Sequence, residues 1–317
     1  MALQYLEPQV WEIIKKRKKE LDSLRPLPPV AVRKLREQFE IEMTYNSNAI
    51  EGNSLTLKET FLVINEGITV KNKPLKDHLE AKNHKEALDY LVDLTKKGNK
   101  INFNEKIIRE LQYLITKEID KEWAGRYRNS NVVIGGSEHK PIDAMFVKEE
   151  MEKLVSWYKK EEKKTNIIEL VALVQHKFVY IHPFFDGNGR TSRLLMNLLL
   201  IREGYPIVTI LKNDRRKYYR LLQEADRGIY RPFVMFISQA ILRSLDMYLE
   251  ALKPIGIKKE KFLKLSELSR QIPYSEKYLN LLARTGKIEA HKEGRIWVTS
   301  KEAIKRYIKN RKRERKL

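Results

Sequence analysis

The sequence predicts a mainly α-helical protein: a helical body broken by one β-hairpin, followed by a small winged helix-turn-helix domain. Three observations carry this expectation. Apolar residues recur at three- and four-residue spacing over most of the chain, as in Trp11, Ile14 and Leu21 or Val32, Leu35, Phe39 and Met43. Within the body only 125–143 departs from that spacing, where the β-prone run Asn131-Val132-Val133-Ile134 ends in Gly135-Gly136. Beyond residue 253 the elements shorten and positive charge accumulates.

Taken in order, a first helix over 10–24 stops at Arg25-Pro26-Leu27-Pro28-Pro29, since proline can neither continue a helix nor tolerate one before it. A second helix covers 30–45 and leads to a polar turn, Ser47-Asn48-Ala49-Ile50-Glu51-Gly52-Asn53. Thr56 and Glu59 form a capping box that opens a third helix. Helices follow at 77–97 and 104–118, then the hairpin, then helices at 147–158 and 167–180. The last of these runs straight into His182-Pro183-Phe184-Phe185-Asp186-Gly187-Asn188-Gly189-Arg190-Thr191-Ser192-Arg193. A buried helix at 194–203 ends at Gly204, and helices at 214–225 and 232–252 close the body. Lys253-Pro254-Ile255-Gly256 reads as the linker. Past it, short helices at 265–270 and 276–283 (the second capped by Ser275) precede strands at 288–292 and 295–298 around Glu293-Gly294, and a last helix starts at Ser300. That order is a winged helix-turn-helix, with a small helical protein-interaction domain as the alternative. The expected domains are therefore 1–105, 106–252 and 258–317.

Composition limits the chemistry. The 317 residues include no cysteine, which excludes disulfides, thiolate nucleophiles and Cys-based metal sites. Residues 1–8 show neither a basic nor an apolar leader segment, and no apolar run is long enough to span a bilayer, so a cytoplasmic protein without membrane contact is expected. The net charge of +21 is uneven: residues 253–317 hold 20 basic and 7 acidic residues, or +13. Such a segment is either a solvated helix end or a face for nucleic acid, and the winged pattern favours DNA.

The chemistry concentrates at 182–193. An imidazole precedes a carboxylate by four residues, two glycines flank an asparagine, and Arg190 and Arg193 share one face of the helix that follows. Backbone N–H groups at a helix N-terminus, two guanidiniums and one carboxylate for a hard cation suit a polyphosphate with Mg2+. Zinc held by His176, His182 and Asp186 is the other arrangement these residues allow, although zinc has no need of the arginines. Glu51 alone reads as a surface residue at a helix end.

The motif from His182 to Arg193 matches HPFx(D/E)GNGRxxR without departure, and it resembles the signature of Fic (Fido) family protein adenylyltransferases. Residues 125–136 look like that family's flap, 214–226 with Tyr218-Tyr219 like its adenine-side helix, and 47–52 like the inhibitory pattern (S/T)xxxE(G/N) of its class II members. The resemblance covers about 30–252. It implies a Fic-type helical core that moves AMP from ATP to a Ser, Thr or Tyr hydroxyl of a target protein or of the chain itself. His182 would be the general base and Asp186 the Mg2+ ligand. Gly187, Asn188, Gly189, Arg190, Thr191, Ser192 and Arg193 would hold the phosphates, with Arg190 at the β- and Arg193 at the γ-phosphate. Val132, Val133, Ile134 and Gly135 would line the flap side of ATP and dock the target strand, and Tyr218 and Tyr219 would face adenine. Ser47, Glu51 and Gly52 would form the inhibitory segment, with Glu51 pairing Arg193 and, in a further role, assisting removal of AMP. Glycine at 189, where Doc-type kinases carry lysine, favours AMP transfer over phosphorylation, while UMP or phosphocholine transfer stays open. DNA through the basic domain and a second copy of the chain complete the expected partners. A DNA-binding regulator using the core as a nucleotide sensor is the alternative function.

Overall fold

The computed structural model describes residues 4–27, 29–96, 103–252 and 262–314; the linker 253–256 and the last three residues of the basic tail lie outside them. Thirteen α-helices and three strands are assigned there: α1 (Pro8–Ser23), α2 (Pro29–Ile50), α3 (Leu57–Asn65), α4 (Leu75–Lys96), α5 (Glu105–Thr116), α6 (Val147–Glu161), α7 (Ile167–Ile181), α8 (Asn188–Arg202), α9 (Arg215–Asp226), α10 (Arg231–Leu252), β1 (Phe262–Lys264), α11 (Leu265–Leu268), α12 (Glu276–Arg284), β2 (Ala290–Glu293), β3 (Ile296–Ser300) and α13 (Lys301–Glu314). They fall into two compact units, Met1–Gln4 with Arg36–Val234 and Tyr5–Leu35 with Met235–Leu317. No helix of the described residues is long and apolar enough to cross a membrane.

The first unit is built around α7. This helix is apolar on nearly all sides, with Leu170, Val171, Val174 and Phe178 buried, as a helix at the centre of a bundle must be. Against it packs α8, whose Leu194, Leu195, Leu198 and Leu199 are fully buried. Local chemistry sets where the surrounding helices start. Asn104 accepts from the N–H of Ile107 at α5, and Asn166 accepts from that of Ile168 at α7. The Thr56–Glu59 capping box forms in both directions at α3.

Two expectations change. The helix read as ending near residue 45 runs on to Ile50, so Ser47–Ile50 is the last turn of α2 rather than a loop. Its asparagines do not break the helix because Asn46 and Asn48 donate to the carbonyls of Glu42 and Thr44, four residues back. The expected β-hairpin at 125–143 has its turn, with Ser137 N–H donating to the Ile134 carbonyl at 3.2 Å, but no strand ladder forms there. Side chains join the two arms instead. Asn131 donates to Asp143 at 3.2 Å and accepts from the N–H of Ala144 at 2.8 Å. Arg128 donates to the Ser130, Ile142 and His182 carbonyls.

In the second unit, β1-α11-α12-β2-β3-α13 encloses a core of Leu265, Leu268, Leu279, Leu282, Ile288 and Ile304. The antiparallel sheet has order β1-β3-β2 and pairs Lys292 with Trp297 across the wing. The sequence reading lacked β1, three residues too few to show alternation. Helix α1 belongs to this unit: its Arg17 pairs with Asp246 of α10 at 2.8 Å and with Glu289 at 2.7 Å.

Candidate active site

The loop between α7 and α8 is fixed before any ligand enters. His182 ends α7 in the left-handed region (φ 51°), its N–H donating to the Phe178 carbonyl. Gly187 opens α8 with φ 83°, and an added Cβ there would lie 3.0 Å from Ile115 and 3.2 Å from Thr116, so conformation and packing both require glycine. Asn188 spends its side chain on the loop, accepting from the N–H of Phe184 and donating to the same residue's carbonyl. Gln112 of α5 donates to the Asp186 carbonyl. The result is a rigid turn leading into a helix N-terminus, where exposed backbone N–H groups favour an anion.

A cavity of about 320 Å³ lies over this turn. Its lining brings together His182, Gly189 and Arg193 of the motif, Glu51, Ile134 and Gly135 of the flap, and Tyr218 and Tyr219. Burial, with the Arg128 guanidinium second, pushes the His182 pKa down to about 4, against opposing pulls from the Val179 carbonyl and Glu51. Its imidazole is therefore neutral at physiological pH and able to accept a proton.

Other expected residues stand elsewhere. Val132 and Val133 are outside the cavity lining, with Val133 94% exposed at the outer edge of the flap. Thr191 and Ser192 are wholly buried; the Thr191 N–H donates to the Gly187 carbonyl and the Ser192 hydroxyl to that of Gly189. Tyr218 does line the cavity, but it is nearly fully buried and its hydroxyl accepts from Gln175 at 3.3 Å.

Arg193 is engaged from several sides. It is 1% exposed, donates from Nε to the Ser47 hydroxyl at 3.0 Å and from Nη2 to the Ser47 carbonyl at 2.8 Å, and pairs with Glu51 at 2.7 Å. The other Glu51 oxygen accepts from the Tyr219 hydroxyl at 3.3 Å. Burial alone would lower the Arg193 pKa, and the Glu51 carboxylate beside it raises it instead. Gly189 makes room for this pair, because a Cβ there would sit 2.2 Å from Glu51 Oε1. The turn carrying Glu51 is held from several sides. Gly52 adopts φ 104°, Arg215 donates to the Ile50 carbonyl at 2.6 Å, and the Lys212 N–H donates to Asn46 at 2.9 Å.

Asp186 faces outward from the turn, its side chain 43% exposed. Burial pushes its pKa up, but Arg190 and the Gly187 N–H more than offset this and hold it below the usual carboxylate range. Both of those contacts fall on Oδ1. Among the described residues no group of three His, Asp or Glu is placed to hold a metal ion. Of the three zinc ligands considered, His176 instead bonds Asp226 at 2.9 Å.

Three partners escaped the sequence reading. Glu80 of α4 pairs with Arg190 at 3.0 Å. His84, one turn further along α4, is fully buried, its pKa pushed down to about 3 by burial and then by Arg193 and Arg190. Arg128 pins the flap to the end of α7. The available signal was Asp77, Glu80 and His84, polar groups at helical spacing on a stripe shared with Ala81 and Leu88.

A family model described as Fic/DOC family matches residues 102–200. Over 255 residues the chain is 34% identical to a protein adenylyltransferase Fic of Nematostella vectensis, covering 79% of this chain and 58% of that one. A crystal structure of a Fic domain containing signaling protein from Bacteroides thetaiotaomicron is 32% identical with TM-score 0.71, covering 78% of this chain and 100% of that one. Fic-1 of C. elegans is 29% identical with TM-score 0.69, covering 76% and 72% respectively. The chain spans about half the length of the curated relatives it matches.

Proposed function

We propose, given that the chain belongs to the Fic/DOC family, that it transfers AMP from ATP to a Ser, Thr or Tyr hydroxyl of a protein, releasing pyrophosphate. The observation that carries this reading is one cavity lined by a neutral His182, the Gly189 backbone and Arg193. His182 takes the hydroxyl proton as the oxygen bonds to the α-phosphorus. The bond from that phosphorus to the bridging oxygen breaks, and its electron pair leaves with pyrophosphate. Such a base is worth about 10²–10⁴-fold in rate. The N–H groups opening α8 meet the negative charge on the phosphates. Residues 132–135, which pair with no strand of the described residues, dock the target strand by main-chain bonding.

Asp186 fits Mg2+, because one partly exposed carboxylate, held at Oδ1 by Arg190 and the Gly187 N–H, is what this ion takes from a protein when phosphates and water complete its shell. Asp186 would hold the cation there, where its charge would offset that developing on pyrophosphate. The geometry around Arg193 supports an enzyme held off by its own chain. Its guanidinium faces either the γ-phosphate or Glu51, and breaking such a buried pair costs about 3–5 kcal/mol. A two-state switch needs about 5.5 kcal/mol for near-complete change, so the pair shifts the balance strongly toward rest but falls short of complete closure.

Labelling tests the reaction type. Glu51→Gly protein incubated with cell lysate should incorporate label from α-labelled ATP and none from γ-labelled ATP. Incorporation of the γ-label alone would mean phosphorylation and end the proposal. A further role for Glu51 rests on its place beside His182 in the cavity: assisting water to release AMP from a modified target. Equal release by wild type and Glu51→Gln, without ATP, removes that role.

The winged fold of 262–314 and the +13 of 253–317 favour duplex DNA as an additional partner of the second unit. Full-length protein should shift duplex DNA at low salt and release it steeply as salt rises. No shift at low salt would exclude DNA.

A further inference from the structure

Arg190 is 2% exposed and stands outside the cavity lining. Two carboxylates divide its guanidinium: Nη1 meets Glu80 Oε1 at 3.0 Å and Nη2 meets Asp186 Oδ1 at 2.9 Å. The two acids differ in setting. The Glu80 side chain is 8% exposed and that of Asp186 is 43% exposed. Glu80 is itself held from the turn that carries Glu51. Asn53 donates from Nδ2 to Glu80 Oε2 at 2.8 Å and to the Asp77 carbonyl at 3.0 Å, and its Oδ1 accepts from the N–H of Leu55. Lys76 lies 3.9 Å from Glu80 Oε1 and its charge also acts on Asp186.

We infer that Glu80 is a positioning residue that acts through Arg190 on Asp186, and that Asn53 links the inhibitory turn to this chain of contacts. A guanidinium shared by two carboxylates neutralises each only in part. Glu80 draws Arg190 inward, and Asp186 keeps enough negative field to hold a cation at the phosphate side. Without the charge of Glu80, Arg190 pairs with Asp186 alone and competes with the cation for it. Outer partners of a metal-holding carboxylate typically affect metal affinity about 10–100-fold. The inhibitory turn therefore reaches the motif at two points. Glu51 occupies Arg193, and Asn53 acts through Glu80 and Arg190 on Asp186.

The inference rests on the proposed role of Asp186, and calorimetry separates the two. Binding of α,β-methylene ATP, which cannot donate AMP, is measured for Glu51→Gly protein with Mg2+ and with EDTA, and the affinity ratio gives the contribution of the metal. Adding Glu80→Gln should cut that ratio about 10-fold while binding in EDTA changes little. Adding Asn53→Ala should cut it in the same direction by about 2–3-fold, the effect of one hydrogen bond. A role of Glu80 in stability alone would lower the melting temperature and leave the ratio intact, which overturns the inference. If Glu80→Gln does not fold, an unchanged ratio with Asn53→Ala overturns it equally. Should the Glu51→Gly parent itself gain nothing from Mg2+, the role of Asp186 fails and takes this inference with it.

Discussion

At the scale of single residues, the site turns on what lies within reach of Arg193. Gly189 admits Glu51 to that position, because any Cβ would approach its carboxylate to 2.2 Å. Gly189 is not in a left-handed conformation, so alanine strains no backbone there and the flexible carboxylate is what must move. On the proposed function the γ-phosphate faces Arg193 from the same place, so the methyl crowds either anion, and in the Glu51→Gly background Gly189→Ala should lower α-label incorporation severalfold. The two buried histidines make a second prediction. Burial holds His182 and His84 at about 4 and 3, below the ordinary 6.5. Below pH 6.5 the unfolded chain then binds more protons than the folded one. Their contribution to stability is complete above pH 6.5 and lost as pH falls through the folded values. The melting temperature should fall steadily from pH 6.5 to 4, and His84→Asn should flatten that slope.

At the scale of elements, the flap and the end of α2 show how far sequence reading reaches. The motif from His182 to Arg193 was legible because each of its positions does local work: a left-handed glycine, a loop-clamping asparagine, arginines one turn apart on α8. Caps at Thr56 and Ser275 were equally local. The end of α2 was misread because Asn46 and Asn48, turn-formers by habit, bond backward within the helix. The hairpin was misread because β-prone residues need a partner strand, and the flap ties its arms with Arg128 and Asn131 instead. Glu80 and His84 stayed hidden, since a polar helical stripe does not announce which buried charge it will meet. An arm without a partner strand offers an edge for the proposed target strand, save at the Ile134 carbonyl, which accepts from Ser137. Val133→Pro removes one N–H from that arm, so modification of the target should drop severalfold while calorimetric ATP affinity holds. Equal target modification would reject docking by strand addition.

At the scale of the molecule, two compact units each carry their own buried charge logic. In the second, Arg17 neutralises Asp246, which is 4% exposed and also bonds His291 at 3.0 Å. Without Arg17 the buried Asp246 keeps only His291 among these partners, so Arg17→Ala should lower the unfolding free energy of that unit by about 1–3 kcal/mol in urea denaturation. In the first unit the proposed function gives the same principle a regulatory use. Arg193, on α8, takes its carboxylate from a turn 142 positions earlier in the chain, and under that proposal whichever anion occupies it decides between rest and turnover. The direct test compares α-label incorporation by wild type, Glu51→Gly and Glu51→Gly/His182→Ala under identical ATP and Mg2+. Strong labelling by Glu51→Gly alone, weak labelling by wild type and none by the double variant is the outcome expected. Wild type labelling as fast as Glu51→Gly would contradict inhibition by Glu51, and a double variant as active as Glu51→Gly would contradict the role of His182.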